Sequence, residues 1–355
     1  MVFSHFRGCV VNDLGLFIIL KEEIAMKQKW ISILLCVAMC ATLAVGCEGK
    51  AKGESEGKSD SKTEKTVEIK NEGDPIVIAT MTDEESQIYG ELMKQILEAN
   101  GYEVEASGIG TYNNSTLPRQ SLMEKQVDLV QDYTGRGMMF IKDVDTSAYQ
   151  TDLETAFNTT READEKNGLV WMCYSPYNNT DGICVRKEWA EKNHIKDFND
   201  FAKYINDGGE MKLAVATENS YFVTEPICLP GWEEKYGFKL NENQVVVGVS
   251  DPQTMVANGT DGVIASNCYT TGGTLEALDL YVIEDPEYVS PIYSPSAVCT
   301  EDFLKEYPEI QEILTPMYEA IDEDTIRDMN KRLSTDGESA ADIASGFLKE
   351  KGFIK

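Results

Sequence analysis

From Pro75 onward the chain alternates short apolar runs with segments of helical period, and this alternation limits the fold more than any other feature of the sequence. "PIVIAT" reads as a strand. Thr82-Asp83-Glu84-Glu85 then has the spacing of a capping box and opens a helix with Ile88, Leu92, Ile96 and Leu97 on one side, ended by Gly101. "YEVEASGI", "VDLVQDY" and "GLVWMCY" read as further strands, separated by helices over "STLPRQSLMEKQ" and about 152–166. A second series follows. It runs through "GICVRK", helices over 187–206, "MKLAVAT", a Gly/Pro-rich stretch, "QVVVGVS", "DGVIASN" and "LDLYVIED". Helices then fill the chain to its end, with "EILTPMYEAI", "TIRDMNKRL" and "ADIASGFLKE".

Strands that alternate with helices predict a mostly parallel sheet covered on both faces, hence an α/β fold. A chain of 355 residues is too long for one hydrophobic core. The expected organisation is therefore a first lobe over 75–180, an inserted second lobe over 181–284, and a return to the first lobe over 285–355. Two crossovers would then join the lobes, with a ligand cleft between them at the strand ends.

Acids outnumber bases 61 to 32, for a formal charge of -29. Such a field disfavours nucleic acid as a partner. The nine cysteines, at 9, 36, 40, 47, 173, 184, 228, 268 and 299, include no Cys-x-x-Cys pair, so neither a zinc nor a redox motif arises. His5 and His194 are the only histidines, and His194 sits in "EKNHIKDF", which reads as an exposed connection between helices. There is no Gly-x-Ser-x-Gly elbow, no phosphate loop and no His-Glu-x-x-His. Gly108 and Gly110 lack the third glycine of a dinucleotide loop and read as a turn. Asp143, Asp145, Ser147 and Glu154 imitate a calcium loop, but Ala148 stands where the sharp turn needs glycine. No metal, cofactor or catalytic residue is expected.

The first 74 residues have another character. From Met26, which we take as the true start, two lysines precede an apolar run too short for an ordinary membrane span, as in a secretory signal. "LAVGC" resembles the lipobox of bacterial lipoproteins, with Ala44 where leucine is usual; the resemblance implies cleavage just before Cys47, which becomes the lipidated N-terminus, with 1–47 read as leader and signal peptide. Residues 48–74 have almost no apolar content and are expected to be a flexible tether. The resemblance thus implies a protein held by its lipid at the outer face of the cell membrane.

Several strings, in order and spacing, resemble the substrate-binding proteins of ABC importers for glycine betaine, choline and related solutes. They are "YGELMKQILEANGYEVE", "DLVQDYTG", "YNNT" followed by "CVRKEWAEK", "KYGFKL", "DPQ", "ANG", "YTTGG" with "LDLYVIED", and "FLKEKGFI". The resemblance spans about 75–355. It implies a two-lobed, type II periplasmic-binding-protein-like fold whose lobes close on an amine solute and hand it to a permease driven by a separate ATPase.

 The same resemblance implies that the chain acts as a monomer.

In that family the tyrosine of "DYTG" is one wall of an aromatic box around a quaternary ammonium, which ring faces hold because methylated nitrogen donates no strong hydrogen bond. The resemblance assigns this role to Tyr133. Other family positions differ. Asp181 replaces a second box tyrosine after "YNNT", Met81 replaces a lysine after the first strand, and "FVTEPICLPGW" replaces an Arg/Asp string. Arg136 stands where threonine commonly follows Tyr-Thr-Gly. Arg136 is thus expected to replace the lost carboxylate clamp, and Asp181, with Asp132, to face a cationic group. Tyr221 and Tyr269 are further candidates for the walls, with Phe222 and Trp232 in neighbouring cleft segments. Structural roles stay open beside these: Tyr133 as core filler, Arg136 paired with a surface acid, Asp181 capping a hinge turn. A different zwitterionic amine or amino acid is the alternative solute, and a surface enzyme or adhesin the remaining class.

Overall fold

The computed structural model describes residues 74–355. The expected leader, lipidated Cys47 and tether lie outside the described residues, apart from Asp74. Within them the chain forms two five-stranded sheets, and each belongs to its own lobe.

The first sheet has the order β2-β1-β3-β10-β4, from β1 (Ile76–Met81), β2 (Val104–Tyr112), β3 (Leu129–Tyr133), β4 (Leu169–Tyr174) and β10 (Pro295–Thr300). The second has the order β7-β6-β8-β5-β9, from β5 (Asp181–Arg186), β6 (Leu213–Ala216), β7 (Val245–Val249), β8 (Ala265–Tyr269) and β9 (Leu280–Val282). The two share one plan. A parallel core, β2-β1-β3 or β7-β6-β8, is flanked by one antiparallel strand, β10 or β5, and then by an outer strand. The antiparallel strand is in each case the one that the chain enters after crossing between lobes.

Each sheet is mixed: four strands run one way, as a mostly parallel sheet requires, and one, β10 or β5, runs against both its neighbours. The strand β10, "PSAVCT", lies in a stretch read as helix-dominated, yet it is central in its sheet and buried along nearly its whole length. Its Ser, Ala and Pro side chains carry little of the β-branched and aromatic character by which strands are recognised, and Pro295 occupies the first position, where a strand tolerates proline.

The helix Glu84–Ala99 lays Ile88, Leu92, Met93, Ile96 and Leu97 against the first sheet, where they meet Leu314, Met317 and Tyr318 of the helix Glu309–Glu319 and Ile343 and Phe347 of the helix Ala340–Glu350. Its N-cap is Asp83, whose carboxylate accepts from the Ser86 N–H at 2.9 Å. The expected Thr82–Glu85 box is therefore not the cap, and Glu85 is turned inward. The second lobe has a separate core in which Phe198 stacks on Trp232 at 4.7 Å and Phe222 packs beside them. Each such ring pair adds about 0.5–1.5 kcal/mol beyond its area. Gly108 and Gly110, read as a turn, lie inside β2, whose pairing with β1 is broken by register shifts. Asp145 of the calcium-like string caps its own turn through Ser147, and no metal-sized group of ligands occurs among the described residues.

Candidate functional site

The carboxyl ends of the parallel strands converge from both sheets, β1 and β3 on one side and β8 on the other, around a cavity of about 760 Å³. This is where open α/β sheets hold ligands, since helix N-termini and loops meet there without strand side chains to fill the space.

On the first-lobe wall, β3 ends at Tyr133, which is 4% exposed and lines the cavity. Its hydroxyl donates to Glu85 Oε1 at 2.9 Å. The chain then turns through Thr134–Arg136, bringing the Arg136 guanidinium over the Tyr133 ring at 4.9 Å from its centroid. Arg136 Nη1 also donates to Asp132 Oδ1 at 3.0 Å and contacts Met81 Sδ at 3.2 Å. Asp132 is 5% exposed and accepts from the Tyr133 N–H at 2.8 Å. Burial raises its carboxyl above the ordinary range, and the Arg136 charge beside it pulls the other way. Asp132 does not line the cavity. The expectation that it faces a solute cation is thus not matched by its placement: its charge is directed to Arg136. Arg136 is paired with an acid, a buried one rather than the surface acid considered above.

On the second-lobe wall, Asp181 begins β5 and pairs in register with Tyr269 at the end of β8. Tyr221 donates to Asp181 Oδ1 at 2.9 Å, and the Tyr221 and Tyr269 hydroxyls meet at 3.2 Å. Asn219 Nδ2 donates to both, at 3.0 and 3.3 Å. Burial pushes the Asp181 carboxyl up to about 6, against the hydrogen bonds from Tyr221 and Cys228. No ion pair among the described residues involves Asp181. Tyr269 is 50% exposed and offers its ring to the opening. Tyr221, Tyr269 and Asp181 all line the cavity, whereas Phe222 and Trp232 are fully buried in the second-lobe core.

Among the cavity residues that sequence reasoning missed, Tyr293, Asn330 and Glu85 bear most on the site. Tyr293, in the returning crossover, packs against Gly135 so closely that a Cβ there would lie 2.7 Å from its ring, which explains why Thr-Gly follows Tyr133. The fields of Asp181 and Arg136 both reach its phenol, which burial pushes up to about 12. "PIYSPS" carries no periodic signal to mark it. Asn330 comes from the helix Glu323–Ser334 and is 5% exposed. Glu85, 3% exposed, was hidden by its fit to a capping box. Burial raises its carboxyl above the ordinary value, opposed by hydrogen bonds from Tyr177, Tyr133 and Thr271.

Comparison with known proteins identifies the family. Residues 74–350 match the family model described as the substrate binding domain of ABC-type glycine betaine transport system. The glycine betaine-binding protein YehZ of Escherichia coli is 33% identical over 288 residues, covering 79% of this chain and 92% of its own. A solved structure of apo YehZ superposes with a TM-score of 0.70 at 30% identity, over 79% of this chain and all of that one. A glycine-betaine-binding protein of Pseudomonas aeruginosa is 25% identical over 79% of this chain and 88% of its own. The chain belongs to the family of substrate-binding domains of ABC-type glycine betaine transport systems.

Proposed function

We propose that the protein is the extracytoplasmic solute-binding component of an ABC importer, that it captures a small zwitterionic or cationic amine of the glycine betaine and choline class, and that it delivers this solute to a permease. In this reading a lipid on Cys47 holds it at the membrane, it acts as a monomer, and no catalytic step is involved.

The observation that carries the proposal is the placement of Arg136 and Asp181 on opposite walls of one cavity, with Tyr133, Tyr221, Tyr269 and Tyr293 between and around them. Asp181 and the ring faces suit the cationic end of a solute. Arg136 suits a carboxylate: of its five N–H donors only those on Nη1 have described partners, and its contact with Met81 brings it to the strand end where family members commonly carry a lysine. Asp181 is able to accept from an N–H group, so the site also suits amines that are not fully methylated.

Isothermal titration of residues 74–355 with glycine betaine, choline and carnitine tests this. Saturable binding of at least one is expected, lost or weakened by Asp181→Asn; no heat with any of them, or unaltered binding in that variant, contradicts it.

A further inference from the structure

We infer that Glu85 is an interlobe latch: a positioning residue that fixes the Tyr133 ring and, through the same carboxylate, fastens the second lobe's Thr270–Gly273 turn to the first lobe. The inference adds to the solute-binding reading a residue that controls how long the cleft stays shut.

Glu85 lies in the cavity wall but differs from a solute anchor in its bonding. Oε1 accepts from the hydroxyls of Tyr133 at 2.9 Å and Tyr177 at 2.8 Å; Oε2 accepts from Thr271 Oγ1 at 2.9 Å and Asn330 Nδ2 at 3.3 Å. A carboxylate has about four lone-pair positions, so these donors leave none for a solute N–H. Three of them belong to the first lobe and Thr271 to the second. No cation neutralises Glu85 among the described ion pairs, so its charge is held by neutral donors, which makes each of them count.

The rest of the seam is built to the same turn. Asn330 Nδ2 also donates to the Thr271 carbonyl at 2.9 Å, and Arg327 Nε donates to the Thr270 carbonyl at 2.8 Å. Two acceptors at one amide nitrogen fix the orientation of Asn330, and its Oδ1 is left buried without a partner. Gly273 permits the approach: a Cβ there would lie 2.4 Å from the Asn330 and Lys331 backbone. Thr271 is 2% exposed and Asn330 5%, so water does not substitute for these bonds unless the seam opens.

The test uses residues 74–355 carrying Glu85→Gln, Thr271→Val or both. Glu85→Gln keeps the shape and replaces one acceptor by a donor. With glycine betaine as the probe, each single variant is expected to raise the dissociation rate ten-fold or more with association within about two-fold. The double variant is expected to match the singles, because both remove one bond. Additive losses, or unchanged dissociation, overturn the latch. Hydrogen exchange without any solute gives an independent reading: amides of 270–273 and 327–331 are expected to exchange at least ten-fold faster in Glu85→Gln, with β1 and β6 as protected as in the parent. Unchanged exchange at the seam, or equal loss across β1, overturns the latch by assigning Glu85 no role or a general structural one. If glycine betaine binds neither parent nor variants, the solute assignment fails for that compound and the exchange data alone decide the latch.

Discussion

The two walls of the cleft are built from sheets of the same plan and reach the cavity at the same strand ends, yet they are charged in opposite states of completion. The first-lobe wall already holds a cation and its partner, Arg136 over Tyr133 and bonded to Asp132, and its buried Glu85 is saturated by four neutral donors. The second-lobe wall holds a carboxylate, Asp181, that meets only hydroxyl and thiol donors and is pushed up to about 6 by burial. The difference is informative because a buried acid without a counter-charge costs stability unless something else supplies that charge. In the proposed reading a solute cation does so at Asp181. Asp132 has no such need, although it is more deeply buried.

The largest effect is expected from Asp181→Asn. Removing the uncompensated acid is predicted to weaken a cationic solute by roughly 2–3 kcal/mol, on the order of 100-fold in titration calorimetry. The same change in Asp132 acts on stability instead, since it strands Arg136 and leaves the solute-facing wall in place. A drop in melting temperature with affinity altered less than in Asp181→Asn is the expected result. Equal effects on affinity at the two positions break the comparison.

Next comes Arg136→Ala, expected to cost a carboxylate-bearing solute such as glycine betaine about 1.5–3 kcal/mol and choline, which has no carboxylate, far less. Equal losses for both compounds would reduce Arg136 to a partner for Asp132. The pH dependence sharpens the asymmetry further. The Asp181 pKa is raised to about 6 by burial, so the group is charged above that value and gains a proton below it. A bound cation favours the charged form, hence binding below pH 6 must release a proton and weakens by up to about ten-fold per pH unit, while above pH 7 it is flat. Asp181→Asn is expected to remove that dependence, as calorimetry across pH 4.5–8 would register. Smallest is Tyr269→Ala: its ring is 50% exposed, where a cation–π contact contributes about 0.5–1 kcal/mol, a few-fold in affinity.

Much of this architecture was legible from local pattern. The alternation of strands and helices gave two α/β lobes, and β3 with its Tyr133 was visible as an apolar run ending in an aromatic. What escaped notice depends on contacts distant in sequence. The role of Glu85 is set by Thr271 and Asn330, which stand 186 and 245 residues away, whereas its local context signals only a helix start. β10 owes its place to burial between β3 and β4, not to β propensity. Tyr293 depends on the second crossover, and the pairing of Arg136 with Asp132 on a helical turn that sequence alone did not fix.

The central claim is that a solute cation sits between the lobes against Asp181 and the tyrosine faces. A crystal structure grown with glycine betaine tests it most directly. The account predicts the ammonium within about 6 Å of the ring centres of Tyr221 or Tyr269 and beside Asp181, with the carboxylate toward Arg136. A solute bound outside this cleft, or with its carboxylate against Asp181, would contradict it.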